Sequence, residues 1–232
     1  MTNEISEILF NPQSPFNIAS DDIKQLILDQ GRLVQKKKGE RISFEGEPLN
    51  YIIAVKSGKV RVSKTDEHGR CLLIHRAVPG NWMGFSGHFC GAQWPHDLKA
   101  DNNCELFYLP RMTFESVLES DPLIYRKILT LMSYYTNFFC DHLMDFVCKP
   151  LKSRVIQALL SLSERYQTLE LELTQADLAS FLGVTREAVA QQLSQLQKLG
   201  MVSSGYGKLI IVDKDVLKAH QQPDSEEFVI NG

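Results

Sequence analysis

Apolar positions along the chain follow three rhythms, and each predicts a different kind of element. Near the N-terminus, Ile23, Leu26 and Ile27 follow Asp21-Asp22 at helical spacing, so residues 1–30 read as a short helical lead-in. From Arg32 to Leu109 the rhythm shortens to brief apolar runs cut by glycine. Gly39, Gly46, Gly58, Gly69 and Gly80 recur at roughly ten-residue intervals, the spacing of an all-β roll or barrel. Residues 51–55 and 59–64 flank Ser57-Gly58, which reads as a hairpin turn. Asp66-Glu67-His68-Gly69 is the next turn and leads into a strand over 71–77. Strands around Leu98 and over 106–109 close the region.

The third rhythm is helical and long. Residues 112–118 read as a short helix after Pro110. Asp121-Pro122 then opens a helix that runs to about Cys148, where Lys149-Pro150 stops it. This helix carries two apolar stripes. Ile124, Ile128, Leu131, Tyr135 and Phe138 form one, and Leu129, Met132, Phe139, Leu143 and Phe146 form the other. One stripe can cover the β-roll. The second needs a partner, and a parallel copy of the same helix is the economical one, giving a homodimer through residues 122–149.

Residues 151–166 make a further amphipathic helix, with Val155, Ile156, Leu159 and Leu160 on one side. Residues 173–199 then read as helix, tight turn, helix. Thr174 is an N-cap with Asp177 three residues on. Leu178, Phe181 and Leu182 form an apolar stripe, and Gly183 ends the helix where a left-handed residue is needed. Thr185 starts the next helix, whose inner face is Val189, Leu193, Leu196 and Leu199. Its outer, N-terminal side carries Arg186, Glu187, Gln191 and Gln192. A helix with a packed underside and hydrogen-bonding side chains near its start is what a DNA major groove accepts. Met201-Val202, a turn at 205–207 and residues 209–212 follow as a β-hairpin wing.

The expected fold class is therefore α+β: an N-terminal double-stranded β-roll, a long dimerisation helix and a C-terminal winged helix-turn-helix. The expected divisions are a sensor roll over 1–121, the dimer helix over 122–149 and the DNA-binding domain over 150–220. An acidic tail over 221–232 holds Asp224, Glu226 and Glu227 without Lys or Arg, and is expected to be disordered.

Charge alone would not suggest nucleic acid, because the net charge is −3. Binding to double-stranded DNA must come from locally placed groups, and two copies of the reading helix serve better than one. No apolar run approaches the ~20 residues of a membrane span. MTNEISEILF lacks the basic start of a signal peptide. Cys71, Cys90, Cys104, Cys140 and Cys148 are odd in number and widely spaced, which suits a reducing cytoplasm. Cys140 and Cys148 lie ~12 Å apart along the helix, too far to pair within one chain.

The order of parts resembles the CRP/FNR family of bacterial transcription regulators. LTQADLASFLGVTREAV is similar to the family's helix-turn-helix, with its SRETV-like recognition start. GEPLNYIIAVKSGKVRV is similar to its roll signature, and DPLIYRKIL with residues 152–155 to its long helix and hinge. The resemblance implies a cyclic-nucleotide-binding-like jelly roll and a homodimeric regulator on a near-palindromic site. It implies that Arg186 and Glu187 read base edges: Arg suits guanine O6 and N7, and Glu accepts from cytosine N4. Thr174 and Thr185 would hold phosphates as well as cap helices. The family's usual Arg one turn on is Gln191 here, so the half-site should depart from the common TGTGA-like pattern. The acidic turn Asp66-Glu67 resembles one RNA polymerase contact of the family. The segment from Gln167 to about Glu172 is shorter than its main contact loop.

The resemblance also says what the sensor lacks. Family members that bind cyclic AMP use a Glu and an Arg-Ser pair for ribose and phosphate; Phe85 and Pro95-His96 stand at those positions. Phe139-Cys140 replaces the polar pair on the long helix. The expectation is an apolar or aromatic effector other than cyclic AMP, or no effector at all, with the pocket drawn around Trp82, Phe85, His88 and Phe139. The first cysteine is Cys71, and the spacing does not suit an FNR-type iron–sulfur cluster. A haem-based sensor of the same fold stays open with His88 as ligand, although Gly84 and Ser86 fill the family's gas-sensor ligand positions. A cupin-like metal enzyme is the reading from another class. Its H-x-H then Glu pattern is absent, so no catalytic and no metal-ligating residue is expected.

Overall fold

The computed structural model describes residues 2–69, 71–205 and 207–220. It forms two compact units, Met1–Asn137 and Phe138–Gly232. The boundary falls inside the long helix, rather than at its start or end.

The first unit opens with α1 (Thr2–Leu9), a 3-10 turn (Pro15–Ile18) and α2 (Asp21–Gln30). The lead-in is thus broken into pieces, because Pro12 and Pro15 lie between its helices and lack the N–H a continuous helix would need. The Ser20 hydroxyl accepts from Ile23 N–H at 3.4 Å and starts α2.

The strands follow as β1 (Arg32–Lys36), β2 (Arg41–Ser43), β3 (Tyr51–Ser57), β4 (Val60–Thr65), β5 (Cys71–Ala77) and β6 (Trp82–Met83). A short α3 (Phe85–Phe89) precedes β7 (Asp97–Ala100) and β8 (Cys104–Pro110). They form two antiparallel four-stranded sheets, ordered β1-β8-β3-β6 and β2-β7-β4-β5. Val55 and Leu106 from one sheet and Val60, Val62 and Leu98 from the other enter a single core.

One expectation fails here. Ser57-Gly58 does not close a hairpin, since β3 pairs with β6 and β8 while β4 pairs with β5 and β7. The turn carries the chain from one sheet to the other. Gly58 sits at φ +83°, and a Cβ there would stand 2.5 Å from the Asn103 carbonyl oxygen. By contrast, the turn at 66–69 does join a paired hairpin, β4 with β5.

Next come α4 (Arg111–Ser120) and α5 (Pro122–Cys148). Helix α4 buries Phe114, Val117 and Leu118. Ile124 and Ile128 of α5 enter the same core, with Leu131 half-buried against it. Met132, assigned from the sequence to the second stripe, packs on this core as well. The rest of the second stripe is uncovered: Leu129 is 67% exposed, Leu143 62% and Phe146 51%.

The second unit continues with α6 (Leu151–Tyr166), β9 (Glu170–Leu171), α7 (Gln175–Leu182) and α8 (Arg186–Lys198). It ends with β10 (Val202–Gly205), β11 (Lys208–Ile211) and α9 (Lys214–Ala219). The expected wing is the antiparallel pair β10 and β11, and β9 adds a third strand to its free edge. Val155, Leu159, Leu178, Val189, Leu193 and Leu217 belong to one core beneath both HTH helices. The acidic tail lies outside the described residues.

Candidate nucleic-acid interface

The corner between α7 and α8 is built by two threonine caps and one glycine. The Thr174 hydroxyl accepts from Asp177 N–H at 3.0 Å. The Asp177 carboxylate accepts from Thr174 N–H at 3.2 Å, completing a capping box. At the other end of α7, Gly183 takes the left-handed conformation at φ 64°, and its N–H reaches the Ala179 carbonyl. Two residues later the Thr185 hydroxyl accepts from Ala188 N–H at 3.2 Å and opens α8. Thr174 and Thr185 are therefore helix caps in place, both exposed.

Helix α8 is sided. Val189, Leu193 and Leu196 are fully buried. Arg186, Glu187 and Gln191 are exposed, and Gln192 is half-buried on the flank. The helix advances about 100° per residue, so Glu187, Gln191, Ser194 and Lys198 lie opposite the buried stripe. Arg186 stands in the first turn, beside N–H groups that no helical carbonyl takes up. The exposed start of the helix thus offers the Arg186 cation, the Glu187 carboxylate and the Gln191 amide, the functional groups that match base edges.

Two contacts brace this corner. Gln197 Nε2 donates to the Ser204 hydroxyl oxygen at 2.6 Å, joining the end of α8 to the wing. Arg154 Nη1 of α6 donates to the Leu182 carbonyl at 3.3 Å, tying α6 to the end of α7. Neither contact is apparent from sequence spacing, because the partners lie 7 and 28 residues apart. On the wing, Lys208 Nζ pairs with Glu170 at 2.6 Å.

The residues singled out for an effector pocket divide between the units. Trp82 is buried, and its Nε1 donates to the Leu9 carbonyl at 2.9 Å. Phe85 is 2% exposed, and its ring centroid lies 5.6 Å from that of Phe114. Phe16 fills the space between them, 4.7 Å from Trp82 and 6.1 Å from Phe85. The Phe85 position is therefore occupied by a packed ring. His88 lies on α3, edge-on to Phe89 and Phe114 at 4.8 and 4.9 Å. Its Nδ1 is buried without a hydrogen-bond partner. Burial lowers the His88 pKa, Arg111 adds to this, and Glu115 opposes it. Burial and the Lys64 charge lower His96, against Glu45 and Asp97. Phe139 is 45% exposed on α5 and belongs to the second unit. Among the described residues, no three His, Cys, Asp or Glu side chains converge as a metal-binding group. No described helix is long and apolar enough to cross a membrane.

A glycine-punctuated β-roll, a long helix and a capped helix corner with a wing define a two-part DNA-binding regulator. Comparison with known proteins agrees for both parts. Residues 33–121 match the cyclic nucleotide-binding domain family, and residues 153–220 match the Crp-like helix-turn-helix domain family. The chain is 24% identical over 209 residues to an anaerobic regulatory protein of Pasteurella multocida, covering 86% of this chain and 75% of that one. It is 28% identical over 193 residues to the transcriptional regulator SdrP of Thermus thermophilus, covering 80% and 92%. The solved structure of FixK2 from Bradyrhizobium japonicum superposes with a TM-score of 0.73 at 24% identity, covering 82% of this chain and 96% of that one, and so shares the fold. The chain belongs to the CRP/FNR family of transcription regulators.

Proposed function

We propose that this regulator is a cytoplasmic homodimer that reads a near-palindromic DNA site through α8 and answers to an effector other than cyclic AMP. One observation carries the reading. Arg186, Glu187 and Gln191 are exposed at the start of a helix whose opposite side is buried. Arg186 would take a guanine, Glu187 a cytosine and Gln191 an adenine, while Thr174 and Thr185 lie at helix starts suited to phosphate contacts. The dimer reading draws on the exposed apolar residues of α5, including Leu129, Leu143 and Phe146. Pairing two such helices removes these side chains from water and sets two reading helices on one duplex. The effector reading draws on Phe85, whose packed ring replaces an acceptor for a ribose hydroxyl. The exposed turn residue Glu67 is available for a contact with RNA polymerase.

The test is titration of labelled cognate DNA at several salt concentrations, with and without cyclic AMP. Binding should weaken steeply with salt, because phosphate contacts release counterions. Cyclic AMP should change nothing. Salt-independent association, or a cyclic AMP response, would count against the reading.

A further inference from the structure

Among the described residues of the second unit, the cations divide into two groups. Arg186 and Lys198 lie exposed on α8 and make no ion pair. Off that helix, carboxylates hold the lysines. Asp145 pairs with Lys149 at 2.6 Å, Glu164 with Lys214 at 3.2 Å and Lys218 at 3.5 Å, and Glu170 with Lys208 at 2.6 Å. The last pair stands on the wing, which Gln197 and Ser204 join to the end of the reading helix.

Local structure builds this pair. Strands β9 and β11 run antiparallel, with Glu170 opposite Ile210. Lys208 precedes Ile210 by two positions, so its side chain shares a face of the sheet with Glu170. The other face is buried through Leu171, Leu209 and Ile211. Across the hairpin, Lys208 lies opposite Gly205. Gly205 sits in strand β10 and outside the left-handed region, so the backbone does not demand glycine there. The space does. A Cβ at 205 would stand 3.0 Å from Lys208 Cγ and 3.1 Å from its Cε. Glycine leaves room for the lysine stem, and Glu170 takes the ammonium. Lys208 is 41% exposed and Glu170 53%, so the pair adds little to stability and is open to competition from an anion.

We infer that Glu170 withholds Lys208 from the DNA backbone, and so limits how tightly this chain holds DNA of any sequence. A free lysine on a wing beside the reading helix would add a phosphate contact, and such contacts supply affinity that ignores sequence. Here the ammonium must first leave its carboxylate. The carboxylate left behind then faces the phosphates with like charge. Glu170 is a positioning residue: it reads no base and acts through Lys208. Lower affinity for arbitrary DNA leaves fewer copies of a regulator spread over nonspecific sites. The inference rests on the DNA-reading assignment.

The test is anisotropy titration of the full chain with a labelled duplex of arbitrary sequence, at several salt concentrations. The parent is compared with Glu170→Gln and with the double variant Glu170→Gln, Lys208→Gln. Glutamine keeps the size of the side chain and removes its charge. Glu170→Gln should tighten binding by ~2–5-fold, and the slope of log affinity against log salt should steepen by about 1 for each reading domain on the duplex. Adding Lys208→Gln should return both quantities close to the parent values. A merely structural pair would shift the thermal midpoint and leave the salt slope alone. An unchanged or shallower slope in Glu170→Gln overturns the inference. So does a gain that survives in the double variant, because repulsion by Glu170 alone would then account for it. A parent chain that binds no DNA removes the DNA-reading assignment together with this inference, whereas a parent that binds, with no steepening in Glu170→Gln, removes this inference alone.

Discussion

The Thr185 hydroxyl accepts the N–H of Ala188 at 3.2 Å, one residue before the Arg186-Glu187 pair. The cap fixes where α8 begins, and so fixes how the pair is presented. Thr185→Val keeps the shape and removes the acceptor. It should lower the stability of the second unit by about 1 kcal/mol. Chemical denaturation followed by circular dichroism measures that loss. DNA affinity should fall by a similar factor on cognate and unrelated sequences, because the cap positions the helix and reads no base.

Base reading falls to the next residues. Arg186→Ala should cost about 1–3 kcal/mol on the cognate site and leave nonspecific affinity nearly unchanged. Gln191→Arg should move the preference at one position of each half-site from adenine toward guanine. Anisotropy titrations against single-base variants of the site report both effects. Equal affinities for all four bases at every position in Arg186→Ala and the parent would remove the residue from recognition.

Leu143 is 62% exposed on the uncovered stripe of α5. Leu143→Glu should split the dimer without unfolding either unit, because the side chain belongs to neither core. Sedimentation should show monomers at concentrations where the parent chain is paired. An unchanged dimer would place the interface elsewhere.

Phe114 is fully buried, with ring partners Phe16, Phe85 and His88. Phe114→Ala should destabilise the first unit by about 3–5 kcal/mol. Urea denaturation should show the early loss confined to that unit.

His88 and His96 are both held below the ordinary histidine value by burial. The unfolded chain therefore takes up protons at a higher pH than the folded one. Their contribution to stability is complete above about pH 6.5 and is lost as pH falls through the lowered folded values. The thermal midpoint should drop between about pH 7 and pH 5, and replacing both with Gln should flatten that drop.

Much of this arrangement was legible in the sequence, for physical reasons. The two α5 stripes differ in their partners, yet both show as helical periodicity, and burial of Ile124 and Ile128 bears out the first. The HTH corner was legible because Thr174, Gly183 and Thr185 act locally, within four residues of their partners. Strand pairing is not local. Ser57-Gly58 has the residues of a tight turn, but which strands pair across it depends on β6, β7 and β8, much further along the chain. Strand β9 is only two residues long, although alternation of Leu169, Leu171 and Leu173 carried its signal. Met132 reads from its spacing as part of the second stripe of α5, and only the packed roll shows that it joins the core. The link from Arg154 to Leu182 joins residues on different helices, so no spacing rule could find it. For the sensor, the replacement of polar groups by Phe85 was visible, but the packing of its ring with Phe16 and Phe114 was not.

The most direct measurement is selection of bound sequences from random double-stranded DNA by the purified full chain, repeated with Arg186→Ala. The expected result is a two-fold symmetric site with half-sites about 10 base pairs apart, centre to centre. One guanine in each half should lose its enrichment in the variant. No enriched sequence, a single unsymmetrical half-site, or the same guanines enriched by Arg186→Ala would contradict reading by a pair of α8 helices.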